Sequence, residues 1–146
     1  MKKLLLLSAL LIFACSSDDD NSNDSNSIEG RWNFTSATDC GTASDFDSCD
    51  LESYMTLNNG AGVATIYDNE GEGGGIIPCQ LDGSFDVSYI LDSNSSNSYV
   101  FDLGNGPLSA TLSGNTLTLF QEVQASDTGC AQQEGTFIEE VIFMRD

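Results

Sequence analysis

The sequence predicts an all-β domain, an antiparallel up-and-down meander of about eight strands. Short segments that alternate apolar and polar residues recur along the chain. Residues that favour turns separate these segments, and no stretch shows a sustained helical period. Ile28 to Asp146 is 119 residues, the length of one domain with one hydrophobic core. Strands joined by short hairpins favour a closed barrel or a tightly curled sheet.

The predicted strands follow one another at short intervals. They cover 28–38, 51–57, 63–67, 83–90, 99–103, 108–112, 117–119 and 136–144. In the second strand, the alternation places Leu51, Met55 and Leu57 on one face. Hairpin turns are expected at 58–60 and 113–115, and polar loops at 68–75, 92–98 and 125–135. The last strand is apolar on both faces, so we expect it to be central or to close the sheet.

The first fourteen residues have the features of a cleaved export signal. Lys2 and Lys3 precede a run of ten residues, 4–13, that is apolar except for one serine. As a helix this run spans roughly 15 Å, about half of a bilayer's hydrocarbon core, so it is too short for a stable transmembrane anchor. We therefore expect cleavage before Cys15 and export of the mature chain.

The end of this leader, Ile12-Phe13-Ala14-Cys15, resembles the lipobox of bacterial lipoproteins. In that family the cysteine sulfur receives diacylglycerol, and the new amino group is acylated by a fatty acid such as palmitate. Each buried methylene contributes about 0.8 kcal/mol, so the acyl chains on Cys15 would hold the protein at a membrane. The alternative is an ordinary leader cut near Ala14, with Cys15 left as a thiol.

A polar tether, residues 16–27, separates Cys15 from the domain. It contains only Ser, Asp and Asn, so we expect a solvated coil with a reach on the order of 20 Å. Ser16 occupies the position where lipoproteins retained at the inner membrane can carry an acidic residue, and this resemblance implies the outer membrane. The run 17–20 resembles an acidic signal for export to the cell surface, although a plain spacer is the alternative.

The charge of the mature chain argues against nucleic acid as a partner. Removal of Lys2 and Lys3 leaves Arg31 and Arg145 against 23 acidic residues, so the formal net charge changes from −19 to −21. Such a field repels nucleic acid and anionic headgroups. It also keeps a protein soluble and dispersed, which is the simpler explanation for it.

Four cysteines remain in the domain: Cys40, Cys49, Cys79 and Cys130. An even number in an exported chain without histidine predicts two disulfides rather than a metal site. The sequence permits three connectivities. Cys49 and Cys79 precede strands that begin at the same end of a meander, so we predict that they are paired. Cys40 with Cys130 would then join two loops, and we expect no metal and no cofactor.

The beginning of the domain resembles the lipocalin family. Gly30-Arg31-Trp32 is a Gly-x-Trp motif on the first strand. The hairpins at 58–60 and 114–119 are similar to those of small lipocalin-like domains in bacterial surface lipoproteins, so the resemblance covers 28–146. It implies a lipocalin-like barrel in which Arg145, after the last strand, packs over Trp32. A closed meander also brings its first and last strands together, which favours the same contact.

The sequence offers little catalytic machinery. It contains no histidine, no Gly-x-Ser-x-Gly motif and no phosphate-binding loop. Two acidic groups have the oxygen atoms that calcium sites and glycosidases use: Asp45, Asp47 and Asp50, and Asp68, Glu70 and Glu72. Neither group has the spacing of an EF-hand loop, and solvated loops are the favoured interpretation. We therefore expect a protein that is not an enzyme.

Two hypotheses for function follow from the predicted barrel. In the first, a small apolar or amphipathic ligand binds at the barrel mouth, held by the aromatic residues Phe85, Tyr89, Tyr99 and Phe101. Rings at such positions are more often part of the core. In the second, the domain is a structural or interaction module, such as an accessory subunit or adhesin, that presents loops and strand edges to a surface protein. A cavity of ligand size would favour the first hypothesis.

Overall fold

The computed structural model describes residues 27–71, 74–124 and 136–146. These residues form nine strands and one turn of 3-10 helix. The strands are β1 Gly30–Asp39, β2 Thr42–Ala43, β3 Tyr54–Asn58, β4 Ala61–Gly71, β5 Gly75–Leu91, β6 Ser98–Asp102, β7 Pro107–Ser113, β8 Thr116–Gln124 and β9 Thr136–Met144, and the 3-10 helix η1 is Asp50–Glu52.

Eight of these strands form a closed antiparallel barrel in up-and-down order, which confirms the predicted fold class. From β3 to β9 each strand pairs with the next along the chain, and β1 pairs with both β3 and β9. At the closure, Phe34 lies opposite Phe143 and Asn33 opposite Met144. The short strand β2 extends the sheet at the end of β1. This architecture is consistent with a lipocalin-like fold.

The core of the barrel is formed by the inward residues of the alternating strands. Burial of a large apolar side chain contributes about 1.5–3 kcal/mol, so this inner face is the main source of stability. The largest side chains that are fully buried are Trp32, Phe101, Met55, Leu57 and Leu117. Most of the outward residues of the same strands are polar or only partly buried, and the alternation follows the two-residue period of a strand.

One end of the barrel is closed by Trp32 and Arg145. The Trp32 side chain is fully buried, and its Nε1 donates a hydrogen bond to the Ile28 carbonyl at 2.8 Å. The Arg145 guanidinium lies over the indole, with Cζ 4.2 Å from the ring centroid, and it also donates to the Ser27 carbonyl. The predicted contact between Arg145 and Trp32 is confirmed.

The extended segment before β1 completes this closed end. The Glu29 carboxylate accepts hydrogen bonds from the Tyr89 hydroxyl at 2.7 Å and from the Asn59 N–H at 2.6 Å. Burial and the contact with Glu29 raise the pKa of Tyr89 to about 12, so the phenol keeps its proton and donates. Asp146 accepts a hydrogen bond from Asn33, so both ends of the described chain meet here.

The predicted loop at 68–75 is largely strand, which corrects the sequence interpretation. β4 continues to Gly71 and β5 begins at Gly75, with Asp68 opposite Gln80 and Glu70 opposite Ile76. A long hairpin satisfies its backbone groups by pairing while its side chains stay in water. Polar and glycine-rich composition therefore does not distinguish such a hairpin from a loop.

The second predicted strand begins later than expected. Leu51 lies in η1 and is 45% exposed, so it does not share the inner face of Met55 and Leu57. The cause is local: the Asp47 carboxylate accepts the backbone N–H groups of Cys49 and Asp50 and holds a turn there. The alternation of apolar residues in the sequence extends back to Leu51, whereas the strand itself begins only at Tyr54.

Several predicted segments lie outside the described residues. These are the leader, Cys15, most of the tether, and the loop at 125–135 with Cys130. Among the residues that are described, no helix has the length and apolar character needed to cross a membrane.

Replacing Arg145 by Gln should lower the melting temperature by several degrees. The contact of a guanidinium with an indole contributes about 0.5–2 kcal/mol, and each kcal/mol corresponds to roughly 4–8 °C for a domain near this size. Fluorescence of Trp32 can follow the transition. The control is Arg31→Gln, which removes a guanidinium from the Tyr54 ring on the outer wall and should have a smaller effect. Equal shifts would contradict a special role for Arg145.

Candidate functional site

The barrel contains a cavity of about 310 Å³ at the end opposite to Trp32 and Arg145. This volume lies at the lower end of the range for small-molecule pockets, about 300–1,000 Å³. Most of the lining side chains are apolar and come from around the whole barrel. They include the phenylalanines Phe34, Phe46, Phe85 and Phe143 and the aliphatic residues Ile66, Leu103, Leu108, Leu119 and Val141.

The cavity exists because the inward residues change in size along the barrel axis. At the closed end, bulky side chains such as Trp32 and Phe101 fill the interior. Nearer the open end, β4 places Ala64 at an inward position that also lines the cavity. At the open end the barrel wall differs in height, because β6 ends at Asp102 while the hairpin of β4 and β5 extends further. The space is therefore open on one side.

The segment 44–53 forms one wall of the mouth. The Phe46 ring meets the Phe34 ring edge to face, with centroids 4.8 Å apart and an interplanar angle of 85°. The Phe34 N–H donates to the Ser53 carbonyl at 2.9 Å. These contacts hold the segment against the middle of β1, so Phe46 can line the cavity although it lies outside the strands.

A disulfide joins this wall to the hairpin of β4 and β5. Cys49 and Cys79 are bonded, with their Cα atoms 5.4 Å apart, so the predicted pairing is confirmed. The bond connects the start of η1 to β5. Cys40 is also in a disulfide, and its predicted partner, Cys130, lies outside the described part of the chain.

Only one of the four predicted ligand-binding rings lines the cavity. Phe85 does so and is 40% exposed. Tyr89, Tyr99 and Phe101 are buried in the core instead, and the rings of Tyr89 and Phe101 stack at 5.4 Å. Along β5, the inner face passes from the mouth at Phe85 to the closed end at Tyr89. Alternation identifies the inner face but not the depth of a residue in the barrel.

Other lining residues were not predicted as part of a site. Phe34, Phe143 and Val141 belong to the strands that close the barrel, and their sequence pattern indicates only an inner face. The position of Phe46 could have been predicted from the sequence, because it is an isolated aromatic residue in the acidic stretch 44–48. A bulky apolar side chain in such a loop indicates an anchor against the domain.

The two acidic groups lie together in the structure. Five of their six carboxylates line one hollow beside the mouth, together with Asp82, and Glu72 lies outside the described residues. Asp47 accepts hydrogen bonds from Cys49 N–H at 2.6 Å, from Asp50 N–H and from the Asn69 amide, and these bonds hold the pKa of its carboxyl below the usual range. Within the described residues, no group of three or more Cys, Asp or Glu is arranged to hold a metal ion.

The fold and its cavity define a small closed meander barrel with an apolar interior that opens at one end. No protein-family model, no curated protein and no solved structure matches this chain. The evidence on function therefore comes from the cavity and from the residues around its mouth. These residues combine a fixed apolar wall with an acidic border.

Replacing both Cys49 and Cys79 by Ala should lower the free energy of unfolding by roughly 3–4 kcal/mol, because the unfolded chain is no longer constrained by a cross-link with a sequence separation of 30. Urea denaturation followed by Trp32 fluorescence measures the change. A matched control replaces the exposed neighbours Ser48 and Gln80 by Ala, with an expected change within about 0.5 kcal/mol. Equal midpoints for the two double variants would contradict this expectation.

Proposed function

We propose that this protein binds a small apolar or amphipathic molecule in the barrel cavity. The observation that carries the proposal is the cavity of about 310 Å³ at the open end, with its largely apolar lining. A ligand that fills the cavity would remove apolar surface of both the protein and the ligand from water. This burial is the main driving force for such binding. The rings of Phe34, Phe46 and Phe85 would form much of this contact.

The proposed activity is binding without turnover. The chain contains no histidine, and Asp50 is the one carboxylate among the described residues that line the cavity. The paired acid and base of a glycosidase would need two carboxyl groups on either side of a bound sugar. The other acidic residues of the mouth face the neighbouring hollow rather than the apolar interior.

We also propose that the protein is anchored by acyl chains on Cys15 at the outer membrane, facing the cell exterior. The lipobox resemblance supports the anchor, and the residues after Cys15 support the location. Ser27 lies at the closed end, where Arg145 contacts it, so the tether leaves the barrel opposite to the cavity. The mouth would then lie at the opposite end of the barrel from the attachment of the tether, so the anchor would leave it unobstructed.

A structural or interaction module remains the second candidate, and one observation favours it. β5 pairs with β6 only from Ser88 to Leu91, so β6 does not cover the earlier part of this strand. Ile76 is 89% exposed and Leu81 57% exposed in the same stretch. Edges of this kind accept an added strand from a partner protein, although Pro78 in the strand opposes such pairing.

The neutral fluorophore N-phenyl-1-naphthylamine should bind the wild-type domain with increased emission. Ala64→Phe should weaken this binding at least tenfold, because the new ring would occupy the cavity at an inward position. Val63→Phe is the matched control, since Val63 is the neighbouring outward residue of β4 and is 42% exposed. Fluorescence titration measures both. Equal binding by the two variants, or no binding by the wild type, would reject the proposed function.

Native mass spectrometry of the protein purified from its own membrane should reveal a chain that begins at Cys15 and carries covalent acyl groups. Cys15→Ser should abolish these groups and move the protein out of the membrane fraction, because the thioether cannot form. An additional small mass on the folded chain would favour ligand binding, whereas a bound protein subunit would favour the interaction module. An unmodified Cys15 in the wild type would contradict the proposed anchor.

A further inference from the structure

The mouth of the cavity opens beside the acidic hollow. Ile66, Tyr67 and Asn69 line this hollow together with six carboxylates, Asp45, Asp47, Asp50, Asp68, Glu70 and Asp82. Asp50, Ile66 and Tyr67 line both spaces, so the cavity and the hollow adjoin at one side of the mouth. An apolar chain held in the cavity would therefore end close to these carboxylates.

The polar groups of the cavity itself lie on the same side. Apart from Tyr54, whose ring lies under Arg31 on the outer wall, its lining residues with polar side chains are Asp50, Ser53 and Tyr67, from η1, the residue after it and β4. Ser53 is buried, and its Oγ accepts a hydrogen bond from the Tyr67 N–H at 3.0 Å, while its hydroxyl proton remains able to donate. The cavity thus has an apolar body and one polar side, which faces the acidic hollow.

The two basic residues of the mature chain lie elsewhere. Arg145 lies over Trp32 at the closed end, and Arg31 lies over Tyr54 with Cζ 3.6 Å from the ring centroid. Neither arginine lines the cavity or the hollow. The mouth is therefore a region of negative charge, and the hydrogen bonds to Asp47 help to keep that carboxyl ionised.

We infer that the ligand of this cavity is an amphiphile with a cationic head group, whose chain fills the apolar interior and whose head lies at the acidic hollow. This inference rests on the proposed binding function. An anionic head group would be held next to like charges, whereas a cation is attracted by several carboxylates at once. Fields of this kind raise the local concentration of an attracted ion by about tenfold or more.

Three ten-carbon amphiphiles that differ in their head groups test this inference. Decylammonium, decanol and decanoate are compared by their displacement of N-phenyl-1-naphthylamine from the wild-type protein, below their aggregation limits. We expect decylammonium to bind about tenfold more tightly than decanol, and decanoate more weakly than either. The preference for decylammonium over decanol should fall markedly in 0.5 M NaCl, because at that concentration salt screens the attraction between charges that are more than a few ångströms apart.

A pair of variants separates the acidic hollow from the overall negative charge. Asp68→Asn with Asp82→Asn neutralises two carboxylates of the hollow that do not line the cavity, and asparagine keeps an oxygen that can accept the Glu70 N–H now bonded to Asp68 at 2.8 Å. The control, Asp86→Asn with Glu122→Gln, makes the same change in net charge at two exposed positions that line neither space. The first pair should weaken decylammonium binding at least fivefold and the control less than twofold.

The outcomes distinguish this inference from the proposed function. If neither the fluorophore nor decanol binds the wild type, the binding function itself is rejected. If decanol binds, but decanoate binds as tightly as decylammonium, the cationic head group is rejected and the binding function stands. Equal effects of the two variant pairs on decylammonium would also reject the role of the hollow. Unchanged decanol binding in each variant shows that its cavity is intact.

Discussion

The barrel depends on the pairing of its first and last strands, β1 and β9, and at the end of this pairing Arg145 lies over Trp32. A meander of eight strands has two exposed edges unless its first and last strands pair, and the β1–β9 ladder provides that pairing. The guanidinium covers the indole at the end of this ladder and also holds the Ser27 carbonyl. Closure therefore joins residues that are more than one hundred positions apart, and a sheet without it would expose the edges of β1 and β9.

Closure at one end allows the other end to remain open. The bulky residues at the closed end supply most of the fully buried apolar side chains, so the cavity at the open end is not required for stability. An apolar cavity is costly when it is empty, because its lining loses the contacts that a filled interior would provide. The disulfide of Cys49 and Cys79 and the contact of Phe46 with Phe34 hold the wall that borders this space.

Much of the fold could be predicted because its determinants are local. Alternation located most of the strands, and the two apolar faces of 136–144 indicated a strand that is central or closes the sheet. The pairing of Cys49 with Cys79 followed from the order of the meander. The depth of Tyr89, Tyr99 and Phe101 could not be predicted, because every inward residue of a barrel has the same period whether it lies at the mouth or in the core.

The acidic hollow was also beyond sequence reasoning. Its carboxylates come from two separate segments and from Asp82, and their proximity depends on the extension of β4 and β5 past the rest of the barrel. The polar composition of 68–75 indicated a loop, whereas backbone pairing in a long hairpin placed these residues beside the mouth. Proximity of this kind is a property of the closed sheet rather than of either segment.

The position of Ser27 and Asp146, the two ends of the described chain, at the closed end has a mechanical consequence. If a pull on the segment before β1 acts along the axis of that strand, it loads a strand that pairs with β3 over Gly30–Asn33 and with β9 over Asn33–Ala37. If the opposing force acts at the mouth, the two ladders are loaded in shear, so many hydrogen bonds share the force at the same time. Pulling at a free sheet edge would instead break them one after another. Under this loading, the barrel would be pulled in the direction in which a β-sheet resists force best.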